Sequence, residues 1–108
     1  MILAGTSAKV TMSTSSTADI AVCASWTDIT STTLTGGNDN TLSNSISVSD
    51  IVGSPAASTQ RQVKNLKIYN YDATDSNTLT ITHTDGTLSA VIYRRTLAPY
   101  ESIEYDGG

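Results

Sequence analysis

The chain has 108 residues, room for one domain and too little for two. Ser and Thr fill 33 positions, and charged residues make up only 15% against about 25% in an average chain. That composition argues against a helical bundle, and a net charge of −4 with no long basic run argues against a nucleic-acid partner.

Residues 1–5 have neither a charged leader nor an apolar stretch of about 7 to 15 residues, so no signal peptide is expected there. No run approaches the roughly 20 apolar residues of a membrane span, and the chain is read as a soluble product of a cytoplasm. Period-two alternation, the signature of half-buried strands, dominates the chain from Lys9 onward. Lys9–Thr14 alternates through Val10 and Met12. Residues 19–27 place Ile20, Val22, Ala24 and Trp26 on one side, with Ala21, Cys23, Ser25 and Thr27 on the other. Cys23 is the only cysteine. It rules out an internal disulfide and a multi-cysteine metal site and reads as a small buried hydrophobe.

Residues 31–44 are polar and contain Gly36-Gly37-Asn38-Asp39-Asn40, which predicts a long surface loop. Residues 45–52 alternate again through Ile46 and Val48. Ser54-Pro55-Ala56-Ala57 fits one helical turn, with Ser as N-cap and Pro at the first helical position. Residues 62–71 put Leu66 and Ile68 inward and Lys67, Tyr69 and Tyr71 outward.

Residues 79–96 predict a hairpin, because Asp85-Gly86 suits the positive φ angles of a type I′ turn and alternating runs flank it. That turn pairs Thr84 with Thr87, His83 with Leu88, Ile81 with Ala90 and Leu79 with Ile92. Tyr93 and Arg95 then join the outward set. Leu97-Ala98-Pro99-Tyr100 reads as a turn, and residues 102–105 as a short last strand with Ile103 and Tyr105 on one side. About seven short strands at turn intervals of about 8 to 12 residues make residues 1–108 a single all-β domain, an antiparallel β-sandwich or partly closed small barrel. Its core is thin: there is no Phe, and Ile, Leu and Val total 22.

Several stretches resemble small structural proteins encoded in the virion gene clusters of tailed bacteriophages. They are Pro55-Ala-Ala-Ser-Thr-Gln-Arg-Gln-Val-Lys64, Leu66-Lys-Ile-Tyr-Asn70 with Asp72, and Thr96-Leu-Ala-Pro-Tyr-Glu-Ser-Ile-Glu-Tyr-Asp-Gly107. Leu3-Ala-Gly-Thr-Ser7 and Asp28-Ile-Thr-Ser-Thr-Thr33 are similar to that group as well. The resemblance covers about half the chain, in words that are structural rather than catalytic. It implies a non-enzymatic virion component, without saying whether it sits on head, neck, tail or fibre. Two features depart from the group: Tyr100 stands where the turn usually has Gly, and the chain stops at Gly108 where similar proteins often continue into an aromatic strand. The second departure implies a last sheet edge completed by another subunit.

The chemistry-bearing residues are sparse. His83 is the only histidine, it is expected to be partly buried and hydrogen-bonded on the inner face near the turn, and no Gly-x-Ser-x-Gly elbow accompanies it. Asp72, Asp75 and Asn77 cluster in one stretch, and Asn38, Asp39 and Asn40 in another, but neither has the spacing of a calcium loop. Asx turns explain them, and no metal or cofactor is expected. No Gly-rich phosphate loop or amphipathic membrane helix is present. The outward set Lys67, Tyr69, Tyr71, Tyr93 and Arg95 is the expected interface, because Tyr and Arg are enriched at binding hot spots; the competing reading covers this face with the second sheet of the same domain. The expectation is a virion subunit, a capsid decoration or cement protein before a neck, tail or fibre component. It would bind major capsid or tail proteins and associate with itself, as a trimer by analogy. A small carbohydrate-binding or adhesin-like module is the alternative.

Overall fold

The alternating stretches pair with one another, each pair antiparallel, because alternation gives every strand one face to bury. The computed structural model describes residues 1–107; Gly108, on which the expectation of a missing final strand rests, lies outside them. Among the described residues nine strands, two more than the seven expected, run in chain order: β1 (Ile2–Ala4), β2 (Lys9–Thr14), β3 (Ile20–Ile29), β4 (Leu34–Ser43), β5 (Val48–Val52), β6 (Gln60–Asn70), β7 (Asn77–Thr84), β8 (Ser89–Leu97) and β9 (Ser102–Asp106). The first sheet has the order β1-β6-β3-β4, with β9 also paired to β6; the second has the order β5-β2-β7-β8. The sheets pack face to face as a β-sandwich around one core. Ile20, Val22 and Ala24 of β3 and Leu66 and Ile68 of β6 meet Val10 and Met12 of β2 and Leu79 and Ile81 of β7 there. Each such side chain contributes roughly 1.5–3 kcal/mol by leaving water.

Three local expectations are corrected. The polar stretch 31–44 is no loop: β4 pairs with β3 without a break from Ile20↔Ser43 to Ile29↔Leu34. An edge strand is held by backbone hydrogen bonds and needs no apolar face of its own. In β5 the core residues are Ile51 and Val52, while Ile46 and Val48 are 67% and 69% exposed. The register with β2 passes from Val10↔Val52 to Thr11↔Asp50, so Ile51 is an extra, bulged residue, and the bulge turns two successive side chains inward. No helical turn forms at Pro55; the residue is buried in irregular chain, and the turn after it places Ser58 at φ 58°.

The β7-β8 hairpin forms where expected, with a longer loop. Thr84 pairs with Ser89, so residues 85–88 make the turn. Asp85 Oδ1 accepts the backbone N–H groups of Thr87 and Leu88, both at 2.8 Å, and the Asp85 N–H donates to the Leu88 carbonyl at 3.1 Å. Gly86 takes φ 96° inside this loop. Farther along, the pairing steps from Thr82↔Val91 to Ile81↔Tyr93, leaving Ile92 as a bulge. The expected register of Ile81 with Ala90 and Leu79 with Ile92 is therefore replaced by Ile81 with Tyr93 and Leu79 with Arg95.

One end of the sandwich is closed by two buried asparagines. Asn77 Oδ1 accepts from the Ser15 and Ser16 N–H groups, and its Nδ2 donates to the Ser16 and Ala18 carbonyls. Asn70 Nδ2 donates to the Asp75 and Leu97 carbonyls, and its Oδ1 accepts from the Asp72 N–H. On one flank β5 packs against β4 and β3. On the other, β8 and β9 stand apart and leave an open groove. The body measures 48 × 26 × 18 Å.

Candidate interaction surface

Strand β6 lies between β3 and β9, and its alternation is kept through this stretch. Lys67, Tyr69 and Tyr71 accordingly stand on the outer face of the first sheet, all exposed, while Leu66, Ile68 and Asn70 point into the core. Cross-strand neighbours continue this face: Cys23 and Glu104 flank Lys67, and Ala21 and Ser102 flank Tyr69. Cys23 is thus exposed rather than buried. Its strand is buried on one face only, and Cys23 has the wrong parity for it.

Tyr93 and Arg95 are elsewhere. The bulge at Ile92 puts them on the inward-facing side of β8, opposite Ile81 and Leu79. This is the edge of the second sheet, so they are not part of the β6 face. Tyr93 is still 44% exposed, because β8 overhangs the groove instead of lying under the other sheet. The groove holds about 440 Å³ and is walled mainly by Leu66, Ile68, Ile81, Ile92 and Ile103. Arg95 reaches Glu101 at 3.6 Å. The Tyr93 side chain and that carboxylate hold its guanidinium pKa above the usual arginine value. The five expected interface residues therefore form two surfaces, an aromatic face on β6 and an aromatic, basic rim on β8.

His83 also lines the groove, half-buried as expected, but among the described residues its side chain makes none of the expected hydrogen bonds. Cys23 is on the outer face of the other sheet, so the two reactive side chains are not brought together. Asp72 forms the expected Asx turn: its Oδ1 accepts the Thr74 and Asp75 N–H groups, both at 2.9 Å, and these bonds lower its pKa. Asn77 belongs to the buried clamp instead of that turn. Asn38, Asp39 and Asn40 lie within β4, on alternating sides of the strand.

Sequence reasoning missed a cluster at the opposite end of the sandwich from the asparagines. Arg61 donates to both carboxylate oxygens of Asp28, at 2.8 and 3.0 Å, and to the Gly53 carbonyl at 2.9 Å. Its guanidinium sits 4.3 Å from the centroid of the Trp26 ring, a cation–π distance. Gly37 faces Trp26 across β3 and β4, and a Cβ there would lie 2.7 Å from the indole Nε1. The available signal was parity: Arg61 is two residues from inward Val63, and Asp28 two from Trp26. The cluster ties β6 and β3 to the chain leaving β5, which is a structural duty.

The surfaces carry exposed backbone edges, tyrosines and arginines, a set suited to binding. Comparison with protein-family models, with curated proteins and with solved structures finds no match to this chain.

Proposed function

We propose that the chain is a non-enzymatic structural subunit of a tailed-bacteriophage virion, a capsid decoration or cement protein before a neck, tail or fibre component. It works by binding neighbouring subunits. The observation that carries the binding part is β8: Val91, Ile92 and Tyr93 are 63%, 46% and 44% exposed on an edge strand beside an open apolar groove. A long edge with exposed apolar side chains invites pairing with another chain. The virion part is supported by the stretches from Pro55 to Gly107 that resemble such proteins. The exposed rings of Tyr69 and Tyr71 favour a second reading, a carbohydrate-binding module in which they stack on sugars.

Particles assembled with the wild-type chain or with a Tyr69/Tyr71/Tyr93/Arg95 quadruple Ala variant distinguish the two. The virion reading expects density for the wild-type chain on the intact particle and loss of the variant from purified particles, since one buried anchor commonly contributes about 2 kcal/mol or more. Absence of the wild-type chain from particles, together with binding on a glycan array, would establish the module instead.

A further inference from the structure

The two longest unpaired edges lie on opposite flanks of the sandwich. β4 ends the first sheet on the flank that β5 covers, and β8 ends the second on the groove flank. Natural edges are usually blunted by shortness, bulges, Pro or Lys. β4 has none of these: it is ten residues long, contains no Pro or Lys, and pairs with β3 without a register shift, and Asp39 is the one charge that guards its edge. Its Leu34 and Leu42 are 74% and 73% exposed on one side. At about 3.3 Å per residue it offers roughly 33 Å of free backbone; β8 is nine residues long and bulged at Ile92, so its regular edge is shorter.

Charge distinguishes the two edges. β4 carries one ionisable residue, Asp39, and β8 carries Arg94 and Arg95 with no acid. Arg95 is held by Glu101. Among the described residues Asp39 and Arg94 have neither an ion pair nor a side-chain hydrogen bond. Each is the sixth residue of its strand. Both strands run the same way, from the end carrying the 85–88 turn towards the end closed by Asn70 and Asn77. Asp39 pairs with buried Ala24, so it lies on the inner side of its sheet; Arg94 pairs with Thr80, on the outer side of its own. When two sandwiches stand flank to flank, the inner side of the first sheet and the outer side of the second face the same way.

From this we infer that β4 of one copy pairs in parallel with β8 of a second copy, with Asp39 against Arg94, in a head-to-tail contact. On the other side of the same seam this register sets Tyr93 and Arg95 beside Asn38 and Asn40, with Leu34 and Leu42 at its two ends. Because the two edges differ, the contact is heterologous, and its repetition builds a ring where the rotation between copies closes and an open filament where it does not. Symmetric β8-to-β8 pairing is the less favourable use of this edge, since it gathers four arginines at one seam. The inference rests on the proposed reading that the chain works by binding neighbouring subunits, names a second copy as one of them, and is independent of where on a particle the chain sits.

Sedimentation velocity of the purified full chain tests it, with circular dichroism confirming that each variant is folded; both substitutions are on exposed edges. Asp39→Arg and Arg94→Asp should each weaken self-association at least about tenfold, and the D39R/R94D double variant should recover most of that loss. A wild-type chain that stays monomeric at about 100 µM would overturn the inference. So would single variants that associate like wild type, or a double variant no better than the singles. Association that is kept or strengthened in Arg94→Asp, with Asp39→Arg unaffected, would overturn it in favour of β8-to-β8 pairing. Particle density is a separate readout, so failure here leaves the virion reading standing, and failure there leaves this contact standing.

Discussion

Tyr100 is the clearest case of a side chain at odds with its backbone. The Ala98 carbonyl accepts the Glu101 N–H at 3.0 Å across Pro99 and Tyr100, and Tyr100 takes φ 61°. Pro followed by a left-handed residue is the type II turn, whose third position favours Gly. A non-glycine residue there costs roughly 1–2 kcal/mol, and the Tyr100 side chain, 61% exposed, returns little through packing. Tyr100→Gly should therefore raise stability by about 0.5–1 kcal/mol after the extra chain entropy of Gly in the unfolded state. An unchanged or lower urea midpoint would show that the ring has a contact worth keeping. Asn77 is the opposite case: its polar side chain is 1% exposed, yet all four of its hydrogen bonds are made, so an Asx-rich stretch that reads as surface conceals a core residue.

The strands differ sharply in what holds them. In β8 only Leu97 is buried, and its carbonyl also accepts from Asn70, so this one residue anchors the whole strand. Leu97→Ala should cost about 2–5 kcal/mol, while Val91→Ala, at 63% exposure, should stay within about 0.5 kcal/mol. Equal shifts in the two urea midpoints would contradict this anchoring. The connecting turns respond to acid. Backbone N–H groups of Thr74 and Asp75 lower the Asp72 pKa from 3.8, and those of Leu88 and Thr87 lower that of Asp85 in the same way. The unfolded chain thus takes up these protons first. The stabilisation is complete at neutral pH and is lost as pH falls below about 4 towards the depressed folded values. A D72N/D85N variant keeps both acceptor oxygens and removes the linkage, so its melting temperature should fall less between pH 7 and pH 3 than that of the wild type.

The sandwich as a body combines a thin core with long free edges. With no Phe and 22 Ile, Leu and Val residues, a domain this small buries only about 60 to 70% of the surface that its unfolded chain exposes. Association that favours the folded state then adds stability in proportion to the logarithm of concentration. The melting temperature of the wild-type chain should therefore rise over about a hundredfold range of protein concentration, and that of Asp39→Arg should not. Parallel melting curves for the two proteins at every concentration would separate stability from assembly.

The all-β class, the strands β2, β3 and β6, the position of the β7-β8 hairpin and the outward set on β6 were legible in the sequence. Each depends on alternation, which any strand with one wet and one dry face must display over its own few residues. β4 was not legible, because an edge strand is held by backbone hydrogen bonds that every residue type makes equally, so its Gly and Asn content reads as loop. Nor were the three bulges. An extra residue at Ile51, Lys64 or Ile92 reverses inward and outward for everything beyond it, and whether it is inserted depends on the partner strand. The reversal at Ile92 turned Tyr93 and Arg95 from the outer side of the second sheet to the rim of the groove, and their place in that sheet separates them from the β6 face. Only the packing of one sheet on the other decided which edges stay open, because the flank that β5 closes and the flank where β8 and β9 part are set by contacts between residues far apart in the chain.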